Sequence, residues 1–146
     1  MNIQKLNSIE DELVYLRKNT GFTLARFEDL ITLPEVLGGK NLSFLQHKAK
    51  FIIAINMLGD KQSINCLLAA YGLKEGFDSI PLLKNRRKLY CTEHCLDRDR
   101  ILYLERAAIK SLAKLLYTFD NDPMRLPNGY EQILSEAIKV YIVFEK

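Results

Sequence analysis

Hydrophobic positions recur every three or four residues along most of the chain, which is the period of an amphipathic helix. The clearest stretch is 42–58, where aliphatic and phenylalanine side chains cover a wide face. A face that broad predicts a central, mostly buried helix. Outside the C-terminal tail, few stretches show the strict alternation of apolar and polar residues that is typical of a half-buried strand. The sequence therefore predicts an all-α fold.

Residues that cap or break helices divide this pattern. Side-chain oxygens of Ser8, Thr23 and Ser63 stand where a helix start needs an acceptor for first-turn amides. Two further helices are predicted over roughly 81–94 and 97–117, from the continued apolar spacing. Glycine and proline predict helix ends or turns at four places: Gly21, Pro34, Gly38-Gly39 and Gly72.

The chain has 146 residues, the size of one domain or of two small ones that share a core. We expect an N-terminal helical region over 1–80, a helix-turn-helix over 81–119 and an apolar C-terminal tail over 120–146. The spacing of apolar residues in the tail favours a helix. Residues 140–144, however, are rich in strand-favouring types, so a strand stays open.

Composition places the protein among folded globular chains, with 48% hydrophobic and 27% charged residues. No apolar run approaches the roughly 20 residues of a membrane span, and the first residues are too polar for a signal peptide. We therefore expect a cytoplasmic protein without a membrane partner. The three cysteines Cys66, Cys91 and Cys95 are an odd number, which favours free thiols over a disulfide framework.

Positive charge is concentrated in one segment. Residues 84–114 hold nine basic and four acidic side chains, a net charge of +5, whereas the rest of the chain carries −2. Such a segment is typical of a nucleic-acid contact, because affinity for DNA comes largely from neutralising phosphates. A solvated helix face is the alternative. The nine basic residues are Lys84, Arg86, Arg87, Lys88, Arg98, Arg100, Arg106, Lys110 and Lys114.

The twenty residues 87–106 match the pattern of a helix-turn-helix. Cys91 is the small residue at the fifth position, where the two helices touch, and Cys95 occupies the turn at the ninth. Ile101 is the branched aliphatic residue at the fifteenth position, and Asp97 stands at the N-cap of the second helix. Three other apolar residues fall at positions that face inward: Tyr90, Leu96 and Leu104.

Two positions depart from the pattern, since Cys95 is not glycine and His94 replaces the usual aliphatic residue. Two flanking segments extend the match: RRKLY at 86–90 and LERAAIKSLAKLL at 104–116. Together they resemble the end of bacterial helix-turn-helix regulators of the sigma-factor region 4 type and of phage late-gene activators. The resemblance covers residues 84–116 only. It implies sequence-specific binding of double-stranded DNA by the second helix.

On that resemblance, the exposed residues near the start of the second helix read bases and other cations contact phosphates. Capping and compensation of the helix dipole are alternative roles for Asp97 and Asp99, and a protein interface is an alternative for Leu102 and Tyr103. The base-reading candidates are Arg98, Asp99, Arg100, Leu102, Tyr103 and Arg106. The phosphate candidates are Lys84, Arg86, Arg87, Lys88 and Lys110.

Enzymatic and metal chemistry have little support. His47 and His94 are the only histidines, and no catalytic triad order, phosphate loop or zinc-protease motif accompanies them, so we expect neither an enzyme nor a cofactor. Cys91, His94 and Cys95 share one helix face and could approach a metal if Cys66 or His47 supplied a fourth ligand. Structural thiols are the preferred interpretation over metal binding or redox sensing.

The sequence thus predicts a DNA-binding transcriptional regulator. The alternative is an all-α interaction module, an adaptor or inhibitor, that binds an acidic protein with the same basic face. We also expect a homodimer, because one helix-turn-helix reads few base pairs. The apolar tail is the favoured interface, and the N-terminal helices could bind a protein partner. Two helices over 87–106 that cross steeply and leave Arg98 and Tyr103 exposed would favour DNA, whereas burial of the second helix by the N-terminal part of the chain would favour the alternative.

Overall fold

A computed structural model describes residues 2–121, with side chains described as far as Phe119. This part of the chain is helical, which confirms the all-α prediction. The predicted tail and the dimer interface assigned to it lie almost entirely outside the described residues. The helices, in chain order, are α1 (Ile3–Leu16), α2 (Leu24–Phe27), α3 (Thr32–Val36), α4 (Phe44–Asn56), α5 (Lys61–Ala70), α6 (Leu83–His94) and α7 (Arg98–Asn121).

Two helix starts differ from the prediction. The Asn2 side chain accepts a hydrogen bond from the backbone N–H of Lys5 at 3.1 Å and so caps α1, whereas Ser8 lies inside that helix. Asp60 caps α5, and its carboxylate accepts from both the backbone and the hydroxyl of Ser63. The predictions of Ser8 and Ser63 as caps are therefore wrong, because an earlier Asn or Asp takes that role in each case.

Pro34 does not stop a helix, contrary to the prediction, but lies in the first turn of α3. Proline is tolerated there because first-turn residues have no intrahelical partner for an N–H. The free amides beside it are capped from α1 instead. The Glu12 carboxylate accepts from the backbone N–H groups of Thr32 at 2.9 Å and of Leu33 at 2.8 Å. This contact holds α3 against α1.

The main core joins the N-terminal helices to the second half of α7. Helix α4 contributes Phe51 and Ile55, and most of its residues are at least half-buried, as its broad apolar face predicted. Because Leu112 and Leu116 of α7 are fully buried in the same cluster, α7 belongs both to the predicted helix-turn-helix segment and to this core.

A second, smaller core lies between α5, α6 and the start of α7. Its buried residues include Cys66 of α5, Tyr90 of α6 and Ile101 of α7, with Phe77 from the loop that precedes α6. The Lys74 ammonium lies 5.6 Å from the centre of the Tyr90 ring, so the loop is also held by a cation–π contact. This cluster positions α6 and α7 relative to each other.

Arg86 is fully buried where three chain segments meet. Its Nε and Nη2 donate to the carbonyl of Ala70 at 3.1 and 2.9 Å, and Nη2 also donates to Arg17 at 2.8 Å. Its Nη1 donates to the carbonyls of Asn19 at 2.7 Å and Ile80 at 2.8 Å. All five N–H groups of the guanidinium are thus used. The prediction that Arg86 contacts a phosphate is wrong, because this side chain is enclosed by backbone.

Gly21 allows the chain after α1 to approach the end of α5 closely, so that the Arg86 guanidinium can bind carbonyls of both segments. It has φ +77°, and a Cβ at this position would overlap the carbonyl oxygen of Tyr71. The next residue, Phe22, donates its N–H to the same carbonyl at 2.9 Å. Helix α1 ends at Leu16, about one turn earlier than the predicted end near Gly21, and Gly21 lies in the turn that follows.

Replacing Arg86 by lysine should destabilise the protein by about 2–4 kcal/mol, because an ammonium has fewer donors and leaves buried carbonyls without a partner. Urea denaturation followed by circular dichroism measures the loss. Arg98→Lys, at an exposed position, is the matched control and should change stability by less than about 0.5 kcal/mol. Equal stability of the two variants would show that the carbonyl bonds of Arg86 are dispensable.

Candidate nucleic-acid interface

Helices α6 and α7 are joined by a short turn that begins at Cys95. This residue has φ 54° and ψ 44°, a left-handed conformation, as expected for the ninth position of the helix-turn-helix pattern. Asp97 accepts a hydrogen bond from the backbone N–H of Arg100 at 2.7 Å, so it caps α7 as predicted. The helix, turn and helix therefore occupy the predicted positions. Their assignment as a helix-turn-helix, and as a DNA-binding motif, stays a prediction.

The inner faces of the two helices contact each other at the predicted positions. Tyr90 and Ile101 are buried, and the half-buried Cys91 lies against the turn, with its Sγ 3.7 Å from the carbonyl of Asp97. The exposed His94 stacks on the Tyr90 ring with centroids 4.1 Å apart. This contact explains how histidine replaces the usual aliphatic residue, since the ring face of Tyr90 covers one side of it.

Glu105 is a buried carboxylate in the middle of this junction. Arg87 binds it bidentately, with Nε 2.9 Å from Oε2 and Nη2 2.7 Å from Oε1. Arg17, at the end of α1, also donates to Oε1. Glu105 therefore links three helices through charge-assisted hydrogen bonds.

Arg87 is consequently not a free cation for phosphate binding. The prediction gave it that role because it belongs to the basic segment, but its guanidinium is only partly exposed and is paired with Glu105. Arg17 was missed, since it lies far from the basic segment in sequence. The positive charge of Arg17 does not by itself predict that it contacts a residue of α7.

The remaining charges make the exposed faces of α6 and α7, together called the basic surface, positive. Seven basic side chains are exposed there against three acidic ones, Glu93, Asp97 and Asp99, so the exposed net charge is +4. Removing the buried Arg86 and the paired Arg87 from the count leaves the surface clearly positive. The seven cations are Lys84, Lys88, Arg98, Arg100, Arg106, Lys110 and Lys114.

The first two turns of α7 carry most of the predicted base-reading residues in exposed positions. Arg98, Asp99 and Arg100 are exposed, and Tyr103 keeps 64% of its surface accessible. The Arg100 guanidinium lies 5.5 Å from the centre of the Tyr103 ring, which orients both side chains. Leu102 is half-buried, so it offers less surface to a partner than predicted.

The exposed residues of α7 continue as one stripe along the helix. Asp99, Tyr103, Arg106, Lys110 and Lys114 follow one another at intervals of three or four residues, which places them on one face. The opposite face is buried in the two cores. Helix α7 thus presents a mainly cationic stripe on a rigidly packed support.

The three cysteines occupy different environments: Cys66 is buried, Cys91 is half-buried and Cys95 is exposed. Burial raises the pKa of the Cys66 thiol to about 12 and also raises that of Cys91. In the described part of the chain, no group of three or more histidine, cysteine or acidic side chains could hold a metal ion. His47 is buried, with its Nε2 2.7 Å from the Gly39 carbonyl oxygen.

Two further observations bear on membrane association and on similarity to known proteins. None of the helices between residues 2 and 121 has the length and apolar character that a bilayer crossing requires. Comparison of the chain with protein-family models, with curated proteins and with solved structures finds no match.

We expect the thiols to react with a disulfide reagent in the order of their exposure. At pH 8 Cys95 should react first and Cys66 last, because a thiol with a pKa near 12 has almost no thiolate. Time-resolved absorbance with dithiobis(nitrobenzoate) measures the phases, and urea should merge them. Cys95→Ser should remove the fast phase. Loss of that phase in Cys66→Ser would contradict the assignment.

Glu105→Gln should destabilise the protein by about 3 kcal/mol, because it leaves the Arg17 and Arg87 guanidinium groups together without their anion. The control Glu93→Gln removes an exposed carboxylate from α6 and should stay within about 0.5 kcal/mol of the parent. Urea denaturation of the three proteins measures the difference. Similar stability of both variants would mean that the buried carboxylate does not hold the junction.

Proposed function

We propose that the protein is a DNA-binding transcriptional regulator that inserts the first two turns of α7 into the major groove of double-stranded DNA. The observation that carries this proposal is the exposure of Arg98, Arg100 and Tyr103 at the start of a helix whose inner face is buried. A recognition helix needs this combination, since its N-terminal residues contact bases while its support stays fixed.

The chemistry of these residues suits base edges. Arg98 and Arg100 have guanidinium groups that match the two acceptors of guanine, and Asp99 can accept from the amino group of cytosine. Tyr103 adds an exposed ring that can pack against a thymine methyl group or a sugar. Asp97 is excluded from this set, because its carboxylate already caps α7.

Phosphate contacts are assigned to lysines on both helices. Lys84 and Lys88 are exposed and one turn apart on α6, so they lie on the same face. Lys110 is the third exposed candidate. Since Arg86 and Arg87 make internal hydrogen bonds, three of the five phosphate candidates that the resemblance implied are left.

A homodimer remains part of the proposal. One bidentate contact discriminates between bases by about 1–3 kcal/mol, and two or three such contacts do not select a single site in a genome. Two copies related by a two-fold axis would double the number of bases read. The apolar tail proposed as the interface lies outside the described residues.

Mobility-shift titrations of random and genomic duplex DNA across a salt series test the proposal. About three phosphate contacts predict a slope near −3 in a plot of log affinity against log salt concentration. Lys88→Gln should make that slope shallower by about 0.9 for every sequence. Arg98→Gln should weaken binding to a selected site by at least about tenfold, with little change for random DNA.

Lys61→Gln is the control, because Lys61 is an exposed cation of α5 and is not one of the seven cations of α6 and α7. It should leave both affinity and slope unchanged. No binding to any duplex at low salt would overturn the proposal. Capture of an acidic protein that is lost in Arg98→Gln, together with no DNA binding, would select the adaptor or inhibitor alternative.

A further inference from the structure

A groove of about 310 Å³ lies between α1 and the middle of α7. Glu10, Val14 and Arg17 line it from α1, at a spacing of four and three residues that places them on one face. Arg106, Ile109 and Lys110 line it from α7. Its volume is at the small end of the range for ligand pockets, which is about 300–1,000 Å³.

The lining combines positive charge with an apolar floor. Three of the six side chains are cationic: Arg106, Lys110 and Arg17, whose Nη1 already donates to Glu105. Glu10 is the single carboxylate in the lining. The Nε of Arg17 is buried and has no hydrogen-bond partner among the described residues. Val14 and the buried Ile109 supply apolar surface. Such a site suits an anion that carries an uncharged organic part.

We propose that this groove is a phosphate-binding site for a small organic phosphate, a nucleoside monophosphate in size and chemistry. The phosphoryl oxygens would accept from Arg106 and Lys110, with Arg17 at the inner end of the groove. The organic part would pack on Val14 and Ile109. Hydroxyl or amino groups of the ligand would donate to Glu10, which gives the single carboxylate a role.

The site lies beyond the first two turns of α7, which the proposed function places in the major groove. It includes Arg106, predicted above to read bases, and Lys110, assigned above to a DNA phosphate. Lys110 is twelve residues beyond Arg98, so it lies about 18 Å farther along the helix axis. The first turns of a recognition helix contact base edges. The groove instead lies farther along α7, between its residues 106–110 and α1. A backbone phosphate of DNA has the same anionic chemistry, so the experiment separates this source from a free organic phosphate.

Isothermal titration of the full chain with adenosine monophosphate and with inorganic phosphate tests the site without any DNA. The nucleotide should bind, and the double variant Arg106→Gln/Lys110→Gln should weaken it at least about tenfold, because two charge-assisted hydrogen bonds are lost. The matched control is Lys84→Gln/Lys88→Gln, which removes two cations at the same spacing from α6, outside the groove. The control should bind the nucleotide as the parent does.

Thermal denaturation establishes that both double variants are folded, as expected for exposed positions. No heat of binding with either ligand at millimolar concentration would overturn the site. Equal weakening in both double variants would also overturn it, since that result indicates general attraction to a basic surface. Neither outcome bears on DNA binding, which is measured separately.

A competition titration identifies the source of the phosphate. If duplex DNA and the nucleotide bind at the same time, the site takes a free organic phosphate. If DNA displaces the nucleotide and Arg106→Gln/Lys110→Gln weakens both, the groove holds a backbone phosphate of DNA. Both results support a phosphate site in the groove.

Discussion

The arrangement of this protein depends on the buried guanidinium of Arg86. It binds carbonyls of Arg17 and Asn19 after α1, of Ala70 at the end of α5 and of Ile80 before α6. Two of the segments are helix C-termini, where carbonyl groups lack intrahelical partners and the helix dipole is negative. A buried cation is costly unless it is fully hydrogen-bonded, and here all five donors are used. Burial lowers the pKa of Arg86 to about 10, so the group remains charged at neutral pH.

A second buried charge, the carboxylate of Glu105, lies between α6 and α7. Arg86 is directed towards the N-terminal helices, whereas its neighbour Arg87 pairs with Glu105 of α7. Because Arg17 contributes a carbonyl to Arg86 and a guanidinium to Glu105, the end of α1 takes part in both. The two charge clusters and the small core around Tyr90 fix α6 and α7 as one unit. The cations left at the surface are then displayed on a rigid support.

Local patterns in the sequence predicted most of the longer helices. The left-handed turn at Cys95 followed from the register of the helix-turn-helix pattern although Cys95 is not glycine, and the cap followed from Asp97. Arg86 is buried, Arg87 is paired with Glu105 and Lys88 is exposed. Composition could not predict this difference, because it depends on partners that lie far away in sequence. One signal was present: Arg86 precedes the buried Tyr90 by one helical turn and therefore shares its face. The helix starts were ambiguous because several capping residues stand close together in sequence.

Helix α7 has a buried apolar part and an exposed cationic part. Its second half needs apolar residues such as Leu112 to complete the core, while its first turns keep Arg98 and Arg100 in water. Glu105 lies at the change between these halves and is the point at which α1 and α6 both hold the helix. Any ligand that draws the Arg17 guanidinium towards the α1–α7 groove would compete with Glu105 for it. If that competition changes the affinity of the start of α7 for a partner, thermodynamic linkage requires that the partner change the affinity of the groove by the same factor.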